Sequence, residues 1–278
     1  MRIALAQIET ELGAVAENIR RSRVAISEAA AQGADLVVFP ELSLTGYSLG
    51  SVSHDVALSA GDPLLFTLSR AAGETAVVVG FVERGAVHVH NSAAYLHAGH
   101  VVHVQRKLYL PTYGRFEEHK HFRAGERLRS FDSPTGRSAV LICNDAWQAP
   151  LPFLTVQDGA RVLIVPARSG LTGDRDLDVA LREDWSHLLH HHARFLETYV
   201  VFVNSVGRET GIEFWGGSRV LDPWGRVVVL APDGEPALVT AEVDLAAVDR
   251  RRRESPLVKD GRLDLLAREL DRVVQAEQ

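Results

Sequence analysis

Two short apolar runs, each closed by a proline, constrain the fold of this chain more than any other feature. Residues 33–40 read GADLVVFP and residues 159–166 read GARVLIVP. Four consecutive apolar residues of this kind are typical of a strand buried on both faces of a sheet. Residues 13–32 and 177–198 instead show the apolar spacing of amphipathic helices. Strands that alternate with helices predict an α/β protein.

Further segments extend this alternation and add antiparallel pairs. We predict strands over residues 2–7, 36–39, 76–82, 87–96, 100–108, 138–142, 162–165 and 199–203, and a helix over residues 63–72. Ala98-Gly99 between two of these strands indicates a hairpin, so the sheets should be mixed. The segment from residue 244 onward is charged and mainly helical in pattern. No Gly/Ser-rich or Pro-rich linker interrupts the sequence, which favours a single domain over residues 1–278.

The similarity of the two proline-closed runs has two interpretations. Buried strands converge on Val, Ile and Leu, so the likeness can arise without any repeat. Alternatively, the chain contains two similar αβ halves. In both cases each proline marks the carboxyl end of a strand, where open α/β sheets place their ligand sites.

Composition and charge narrow the function classes. The 30 Lys+Arg against 36 Asp+Glu give a formal net charge of −6, which argues against a dedicated nucleic-acid binder. No apolar stretch approaches the roughly 18 residues of a membrane span. The start, MRIALAQIET, lacks the basic and long apolar regions of a signal peptide. We therefore expect a cytoplasmic protein that contacts neither nucleic acid nor membrane.

The single cysteine excludes an intrachain disulfide and a zinc site built from several thiolates. Cys143 follows the apolar run 138–142 and precedes Asn144-Asp145-Ala146-Trp147. A free cysteine is commonly a small buried hydrophobic residue. A thiol on a sharp turn after a buried strand can instead project into a cleft, with backbone N–H groups beside it facing a developing oxyanion.

Three charged residues also stand where predicted strands end or shortly after. Glu41 directly follows Pro40, and such a carboxylate is either a solvated loop residue or a partly desolvated general base. Lys107 ends the strand 101–106, as a charged strand end or as an ammonium aimed into a cleft. Glu118 lies 11 residues further on and can pair with Lys107, although the neighbouring Glu117 is an equal candidate at this stage.

Taken together and in this order, these segments resemble the nitrilase, or carbon–nitrogen hydrolase, superfamily. The motifs are GADLVVFPELSLTGY (33–47), RKLYLPTYGRFEEHKHFRAGE (106–126) and SAVLICNDAW (138–147), with weaker matches at 199–207 and 214–225. The second and third motifs are most similar to the glutaminase domain of glutamine-dependent NAD synthetases. That subgroup usually carries an acid at the position of Asn144, and no S-G-G-x-D-S pyrophosphatase loop is found in these residues.

The resemblance implies a four-layer α-β-β-α sandwich of two mixed sheets and an assembly into homodimers or larger homo-oligomers. It implies that Cys143 is the nucleophile, Glu41 the general base, and Lys107 the oxyanion holder, with Glu118 orienting Lys107. The backbone N–H of Asn144 would be a second oxyanion donor. No metal or organic cofactor is required. We expect iodoacetamide to modify this thiol readily at neutral pH, because thiolate character governs reactivity.

Further residues are candidates for a pocket wall or a ligand site. Tyr113 and Trp147 are candidates for a pocket wall, with aromatic core packing as the alternative. Arg168, two residues past Pro166, can clamp a substrate carboxylate or form a surface salt bridge. His187 and His191 have the i, i+4 spacing of helical metal sites. Because the Glu expected inside that motif is missing, we favour a helix surface or subunit interface for this histidine cluster.

The leading prediction is a thiol amidase that acts on a small linear amide. A nitrilase acting on a small nitrile and a stand-alone glutaminase that supplies ammonia use the same residues, so both stay open. A catalytically silent scaffold is the non-enzyme alternative, and the complete set of Glu41, Lys107, Glu118 and Cys143 argues against it.

Overall fold

The computed structural model describes residues 1–112 and 116–276, and its strands form two large sheets and one small one. The strands are β1 (Arg2–Gln7), β2 (Leu36–Val38), β3 (Ala76–Arg84), β4 (Val89–His97), β5 (His100–Arg106), β6 (Ser138–Val140), β7 (Val162–Ala167), β8 (Gly170–Leu171), β9 (Tyr199–Asn204), β10 (Val206–Glu209), β11 (Ile212–Trp215), β12 (Arg219–Leu221), β13 (Val227–Leu230) and β14 (Ala237–Glu242). The helices are α1 (Val15–Ala31), α2 (Pro63–Ala71), α3 (Glu118–His121), α4 (Pro150–Gln157), α5 (Arg175–Phe195), α6 (Ala246–Glu254) and α7 (Leu263–Ala276). Short 3₁₀ turns cover Gly50–His54 and Cys143–Trp147.

Both large sheets are mixed, as the sequence predicts. The first has the order β14-β1-β2-β3-β4-β5, with β1, β2 and β3 parallel and the other neighbours antiparallel. The second has the order β13-β12-β9-β7-β6, with β6, β7 and β9 parallel. The two proline-closed runs form β2 and β7, and each lies between two parallel neighbours.

Three apolar clusters define the layers. One joins alternate residues of the two large sheets, such as Leu36 and Val38 of β2 with Val162 and Ile164 of β7. The opposite face of the first sheet packs on α1 and α2, and the opposite face of the second packs on α4 and α5. The predicted four-layer α-β-β-α sandwich is therefore confirmed. Side chains that alternate along one strand serve two different layers because successive residues point to opposite faces.

Helix α4 is the main element that the sequence patterns missed. Its residues PLPFLTVQ contain two prolines and lack a clear 3.6-residue apolar period. The helix forms because a proline is tolerated in the first turn, where its missing N–H has no intrahelical partner. None of the helices in the described part of the chain is long and apolar enough to cross a bilayer.

The ends of β2 and β7 meet at one edge of the sandwich. The backbone N–H of Glu41, just past β2, donates to the carbonyl oxygen of Ala167, the last residue of β7, at 3.4 Å. Each large sheet thus contributes the carboxyl end of a central parallel strand to the same place, which is where the expected catalytic residues come together.

Candidate active site

A buried lysine lies between two carboxylates at this edge. The Nζ atom of Lys107 donates to Oε1 of Glu41 and to Oε1 of Glu118, each at 2.6 Å. Their side chains are at most 3% exposed. Glu41 follows β2, Lys107 directly follows β5, and Glu118 opens α3. The structure brings together these predicted residues from separate segments and selects Glu118 over Glu117, which pairs with the exposed Lys120 instead.

The charges of this group are strongly coupled. Burial on its own would lower the pKa of Lys107, but Glu118 and Glu41 outweigh it and raise that pKa well above its usual value. Lys107 is therefore an ammonium ion throughout the neutral range. Burial raises the pKa of Glu118, and Lys107 opposes this rise. Two carboxylates around one ammonium ion titrate as a set rather than singly.

Two further residues complete the group and were missed at the sequence level. Asn91 on β4 donates through Nδ2 to Oε1 of Glu41 at 2.7 Å and to Oε2 of Glu118 at 3.4 Å. The hydroxyl of Tyr47 donates to Oε1 of Glu118 at 2.5 Å. Burial and the nearby carboxylates raise the pKa of Tyr47 well above its usual value, so it stays a donor. Asn91 stands between His90 and Ser92 in β4, so its polarity alone does not single it out in the sequence.

One carboxylate oxygen of Glu41 has no hydrogen-bond partner among the described residues. While Oε1 accepts from both Lys107 and Asn91, Oε2 is buried and accepts no hydrogen bond from the described residues. A buried acceptor without a partner is costly in a folded protein. The arrangement leaves one carboxylate oxygen available to take a proton.

Cys143 occupies a strained turn. Its φ of +47° lies in the left-handed region, which non-glycine residues seldom adopt. It opens the 3₁₀ turn that follows β6, and its side chain is half-buried. This confirms the expectation of a thiol on a sharp turn after a buried strand. Strain of this kind costs about 1–3 kcal/mol and is commonly found at functional sites.

The electrostatic surroundings of the thiol differ from the sequence-based expectation. Burial raises the pKa of Cys143 well above its usual value, the charge of Glu41 raises it further, and Lys107 opposes both. These directions favour a neutral resting thiol, whereas ready alkylation at neutral pH requires a thiolate. A neutral thiol needs a base at the moment of attack. The candidate is Oε2 of Glu41, which has no described partner and whose carboxylate charge acts on this thiol.

A small pocket of about 160 Å³ opens beside Cys143 and Glu118. Apolar side chains form most of its wall, among them Phe116, Trp147 and Trp185. Trp147 and Trp185 meet edge to face with ring centroids 5.0 Å apart. Larger surface grooves of about 360 and 660 Å³ contain none of the predicted catalytic residues. The pocket fits a short substrate with its reacting carbon close to the thiol.

The other residues predicted to line the pocket or bind substrate lie in different surroundings. Trp147 and Asn144 line the pocket, while their contacts to substrate stay predictions. Tyr113 lies outside the described residues. Arg168 is 1% exposed, and its guanidinium pairs with Glu209 at 2.8 Å. The structure therefore shows no surface salt bridge at Arg168. Its guanidinium is not available to a substrate carboxylate, because the buried Glu209 already binds it.

The histidine cluster divides between the surface and the interior of α5. His187 and His191 are exposed on the helix, as predicted. His192 is buried, and its Nε2 lies 2.8 Å from the carbonyl oxygen of Ala146 in the Cys143 turn. Burial lowers the pKa of His192 to about 4, so this ring is neutral and packs inside rather than on the helix surface. Within residues 1–112 and 116–276, no group of three or more His, Cys, Asp or Glu side chains is arranged to hold a metal ion.

Comparison with known proteins agrees with this geometry. Residues 2–253 match the family described as carbon-nitrogen hydrolase. The chain is 30% identical over 263 residues to a glutamine-dependent NAD(+) synthetase of Thermotoga maritima, covering 91% of this chain but 45% of the synthetase. It is 29% identical over 265 residues to an N-carbamoylputrescine amidase of Oryza sativa subsp. japonica, covering 90% of this chain and 88% of the amidase.

The fold has solved counterparts as well. A carbon-nitrogen hydrolase from Helicobacter pylori G27 superposes with a TM-score of 0.86 at 22% identity, covering 97% of this chain and 98% of that one. This likeness concerns the fold. The chain spans about half the length of the synthetases among its curated relatives, whereas it spans most of the length of the amidase.

Proposed function

The chain belongs to the carbon–nitrogen hydrolase family, and we propose that it is a thiol amidase that hydrolyses a small linear amide to a carboxylic acid and ammonia or an amine. One observation carries the proposal. A buried Glu41–Lys107–Glu118 group lies next to a thiol on a strained turn, at the end of a pocket of about 160 Å³. These are the parts that acyl transfer through a thioester requires.

In the proposed mechanism the first step is proton transfer from the thiol to Glu41. The unpartnered Oε2 of Glu41 takes the proton of Cys143 while the sulfur attacks the amide carbonyl. The resulting oxyanion is stabilised by the Lys107 ammonium and the backbone N–H of Asn144. Preorganised donors of this kind supply much of the rate enhancement in acyl transfer. Lys107 needs no proton exchange for this role because its pKa lies well above neutrality.

Collapse of the tetrahedral intermediate breaks the carbon–nitrogen bond. Protonated Glu41 gives its proton to the leaving nitrogen, which departs as ammonia or an amine and leaves an acyl thioester on Cys143. The same carboxylate then accepts a proton from water as the water oxygen attacks the thioester. The carbon–sulfur bond breaks, the carboxylic acid leaves, and Glu41 returns the proton to Cys143. Glu118, Tyr47 and Asn91 keep Lys107 and Glu41 in place through both steps.

The pocket favours short amides with an uncharged acyl group. Among the described residues that line it, Glu118 is the only charged side chain, and Lys107 and Tyr47 already bind it. An apolar wall gains by burying methylene groups, at roughly 0.8 kcal/mol each, and no described lining residue offers an unpaired charge to a free ammonium or carboxylate. This supports a small aliphatic amide in preference to a charged one.

Glutamine is the second candidate substrate because NAD synthetases are among the relatives of this chain. A glutaminase needs groups that bind the charged α-amino and α-carboxylate ends of its substrate. Arg168, the buried cation nearest in sequence to the pocket residue Ser169, is held by Glu209. We therefore rank glutamine below the short neutral amides.

The test is an ammonia-release screen with purified protein. Acetamide, propionamide and butyramide are compared with propionitrile, glutamine and a carbamoyl amino acid, each with wild type, Cys143→Ala and Cys143→Ser. We expect turnover of short amides to exceed that of the matched nitrile and of glutamine, and both variants to be inactive while melting like wild type. Wild-type activity in Cys143→Ala would refute the nucleophile. Dominant glutamine turnover would establish the second candidate, dominant nitrile turnover would make the protein a nitrilase, and no turnover by wild type would favour a silent scaffold.

We also propose that the chain assembles into homodimers or larger homo-oligomers. The amphipathic helix α7 supports this, because it has no buried residue and exposes Leu266 by 49% and Leu270 by 65%. Apolar stripes of this kind are characteristic of protein–protein contacts. Light scattering after size-exclusion chromatography should give at least twice the mass of 30.5 kDa, and a monomer at micromolar concentration would contradict the proposal.

A further inference from the structure

The carboxylate of Asp145 is fully buried and binds only backbone groups in the described structure. Its Oδ1 accepts from the N–H of Leu108 at 3.0 Å and of Tyr109 at 2.9 Å. Its Oδ2 accepts from the N–H of Ile142 at 3.2 Å. The residue is 0% exposed, and none of the steps above uses it.

The three amides belong to the two segments that carry the reacting groups. Leu108 and Tyr109 directly follow Lys107, and Ile142 directly precedes Cys143. A second bond joins the same segments, because Nδ2 of Asn144 donates to the carbonyl oxygen of Tyr109 at 3.1 Å. Hydrogen bonds to an ionised acceptor are roughly twice as strong as neutral ones.

Stability alone does not account for a carboxyl group at this place. Burial raises the pKa of Asp145 to about 7, even though the backbone donors and Lys107 pull it down. Ionising the group inside the protein therefore costs free energy that a neutral side chain would not cost. Groups kept under such conditions are concentrated at functional sites.

We propose that Asp145 is a positioning residue that fixes Lys107 relative to the thiol of Cys143. The proposal deepens the proposed function and rests on it for its effect on turnover. A misplacement of about 1 Å can cost about 100-fold in rate even when the altered residue does not touch the substrate. One carboxylate that holds the backbone next to both groups is placed to prevent such a shift.

The variant is Asp145→Asn, with Asp222→Asn as its matched control. The new amide keeps the size of the side chain, but its NH₂ group cannot accept from a backbone N–H. Asp222 also accepts two backbone N–H groups, from Trp224 and Arg226, each at 2.9 Å, in the turn between β12 and β13. On the best amide we expect Asp145→Asn to lower kcat about 100-fold with KM within about threefold, and Asp222→Asn to match wild type. Wild-type kcat in Asp145→Asn would overturn the proposal.

Alkylation of Cys143 tests the geometry without any substrate. Lys107 lowers the pKa of the thiol. If Asp145→Asn lets Lys107 move away, the midpoint of iodoacetamide alkylation shifts to higher pH, by at least about 0.5 unit on the scale of such charge effects. Mere removal of a negative charge would shift the midpoint to lower pH. An upward shift supports positioning, and no shift or a downward shift overturns it. Because the readout needs no turnover, an upward shift would stand even if amide hydrolysis failed.

If Asp145→Asn does not fold, amide hydrogen exchange on the wild type tests the same backbone contacts. Leu108 and Tyr109 lie outside the helices and strands, and the Tyr109 side chain is 47% exposed, so protection of their amides depends on the bonds to Asp145. We expect both amides to exchange far more slowly than unbonded loop amides. Exchange at the unprotected rate would show that the carboxylate does not hold this segment, and would overturn the proposal.

Discussion

Two buried ion groups lie close together in this molecule and differ in their balance. In one, Lys107 lies between Glu41 and Glu118, with all three side chains at most 3% exposed. In the other, Arg168 pairs with Glu209 at 2.8 Å, also with side chains at most 3% exposed. The first has one more negative than positive charge, whereas the second is neutral.

The two groups also differ in how completely their carboxylate oxygens are hydrogen-bonded. Both oxygens of Glu209 are engaged, by the guanidinium of Arg168 and by the backbone N–H groups of Tyr47 and Ser48. Arg168 also lies over the ring of Phe214, 4.7 Å from its centroid. In contrast, Oε2 of Glu41 has no partner among the described residues. The balanced pair joins β10 to the segment around Tyr47, whereas the Glu41 group leaves one buried carboxylate oxygen without a described partner.

The comparison teaches that burial alone does not identify a catalytic charge. Breaking a buried pair costs about 3–5 kcal/mol wherever it lies, because the remaining charge is uncompensated. The Glu41 group combines an excess negative charge with a buried carboxylate oxygen that has no described partner, and this combination is what the proposed proton transfer uses.

The largest effect is expected for Lys107→Met. It removes the ammonium that stabilises the oxyanion in the proposed mechanism while retaining much of the side-chain bulk, so kcat should fall at least about 100-fold. KM should change less, because the oxyanion is fully charged only near the transition state. Steady-state kinetics on the best amide measure both, with Lys120→Met, which breaks an exposed pair with Glu117, as the control. Unchanged kcat with raised KM would mean that Lys107 only binds substrate.

The same variant has a predictable effect on stability. Without Lys107, two buried carboxylates face each other unpaired, and protonation relieves their repulsion. The melting temperature of Lys107→Met should therefore lie furthest below wild type at high pH and approach it as the pH falls. A deficit that grows toward acid pH would contradict the charge assignment. Lys107→Arg should not restore full activity, because a planar guanidinium does not replace a compact ammonium ion.

Arg168→Met should lower the stability of the protein while leaving its activity nearly unchanged. It leaves Glu209 buried and unpaired, so the free energy of unfolding should fall by about 3–5 kcal/mol. The kcat of the folded protein should stay within about threefold of wild type. Urea unfolding and kinetics well below the melting temperature give the two values. A rise in KM confined to amides that carry a carboxylate would instead restore the substrate-clamp role suggested by the sequence.

The smallest effect concerns the pH dependence of the thiol. Burial and Glu41 raise the pKa of Cys143, so the thiolate fraction is small at neutral pH and grows about tenfold per pH unit. The iodoacetamide rate of wild type should rise through pH 6–8 without a plateau. Glu41→Gln removes one of the raising charges and should move the curve to lower pH. A plateau near neutrality in wild type would show that the thiolate already exists at rest.

Much of the fold could be predicted because local patterns determine it. The runs that became β2 and β7 are apolar on both faces and end at prolines, so their type and position follow from the sequence. The hairpin of β4 and β5 follows from Ala98-Gly99. Helix α4 was missed because its prolines and uneven pattern hide a helix that tertiary packing stabilises.

The site likewise contains some residues that the sequence predicts and others that it does not. Glu41, Lys107, Glu118 and Cys143 could be predicted because each belongs to a motif with its own residue type and position. The contacts of Asn91 and Tyr47 with the carboxylates, and of Asp145 with Leu108, could not, because they join residues 27 to 71 positions apart along the chain. The role of Arg168 was missed for the same reason, since its partner Glu209 comes from the small third sheet.

The most direct test of the central claim is to trap the covalent intermediate. Wild type and Cys143→Ala are mixed with the best amide, quenched in acid within milliseconds to seconds, and analysed by intact-protein and peptide mass spectrometry. The account predicts that wild type gains the mass of the acyl group on the peptide that contains Cys143, that hydroxylamine removes it, and that Cys143→Ala gains nothing. An acyl group on another residue, or amide turnover by Cys143→Ala at the wild-type rate, would contradict thioester catalysis by this group.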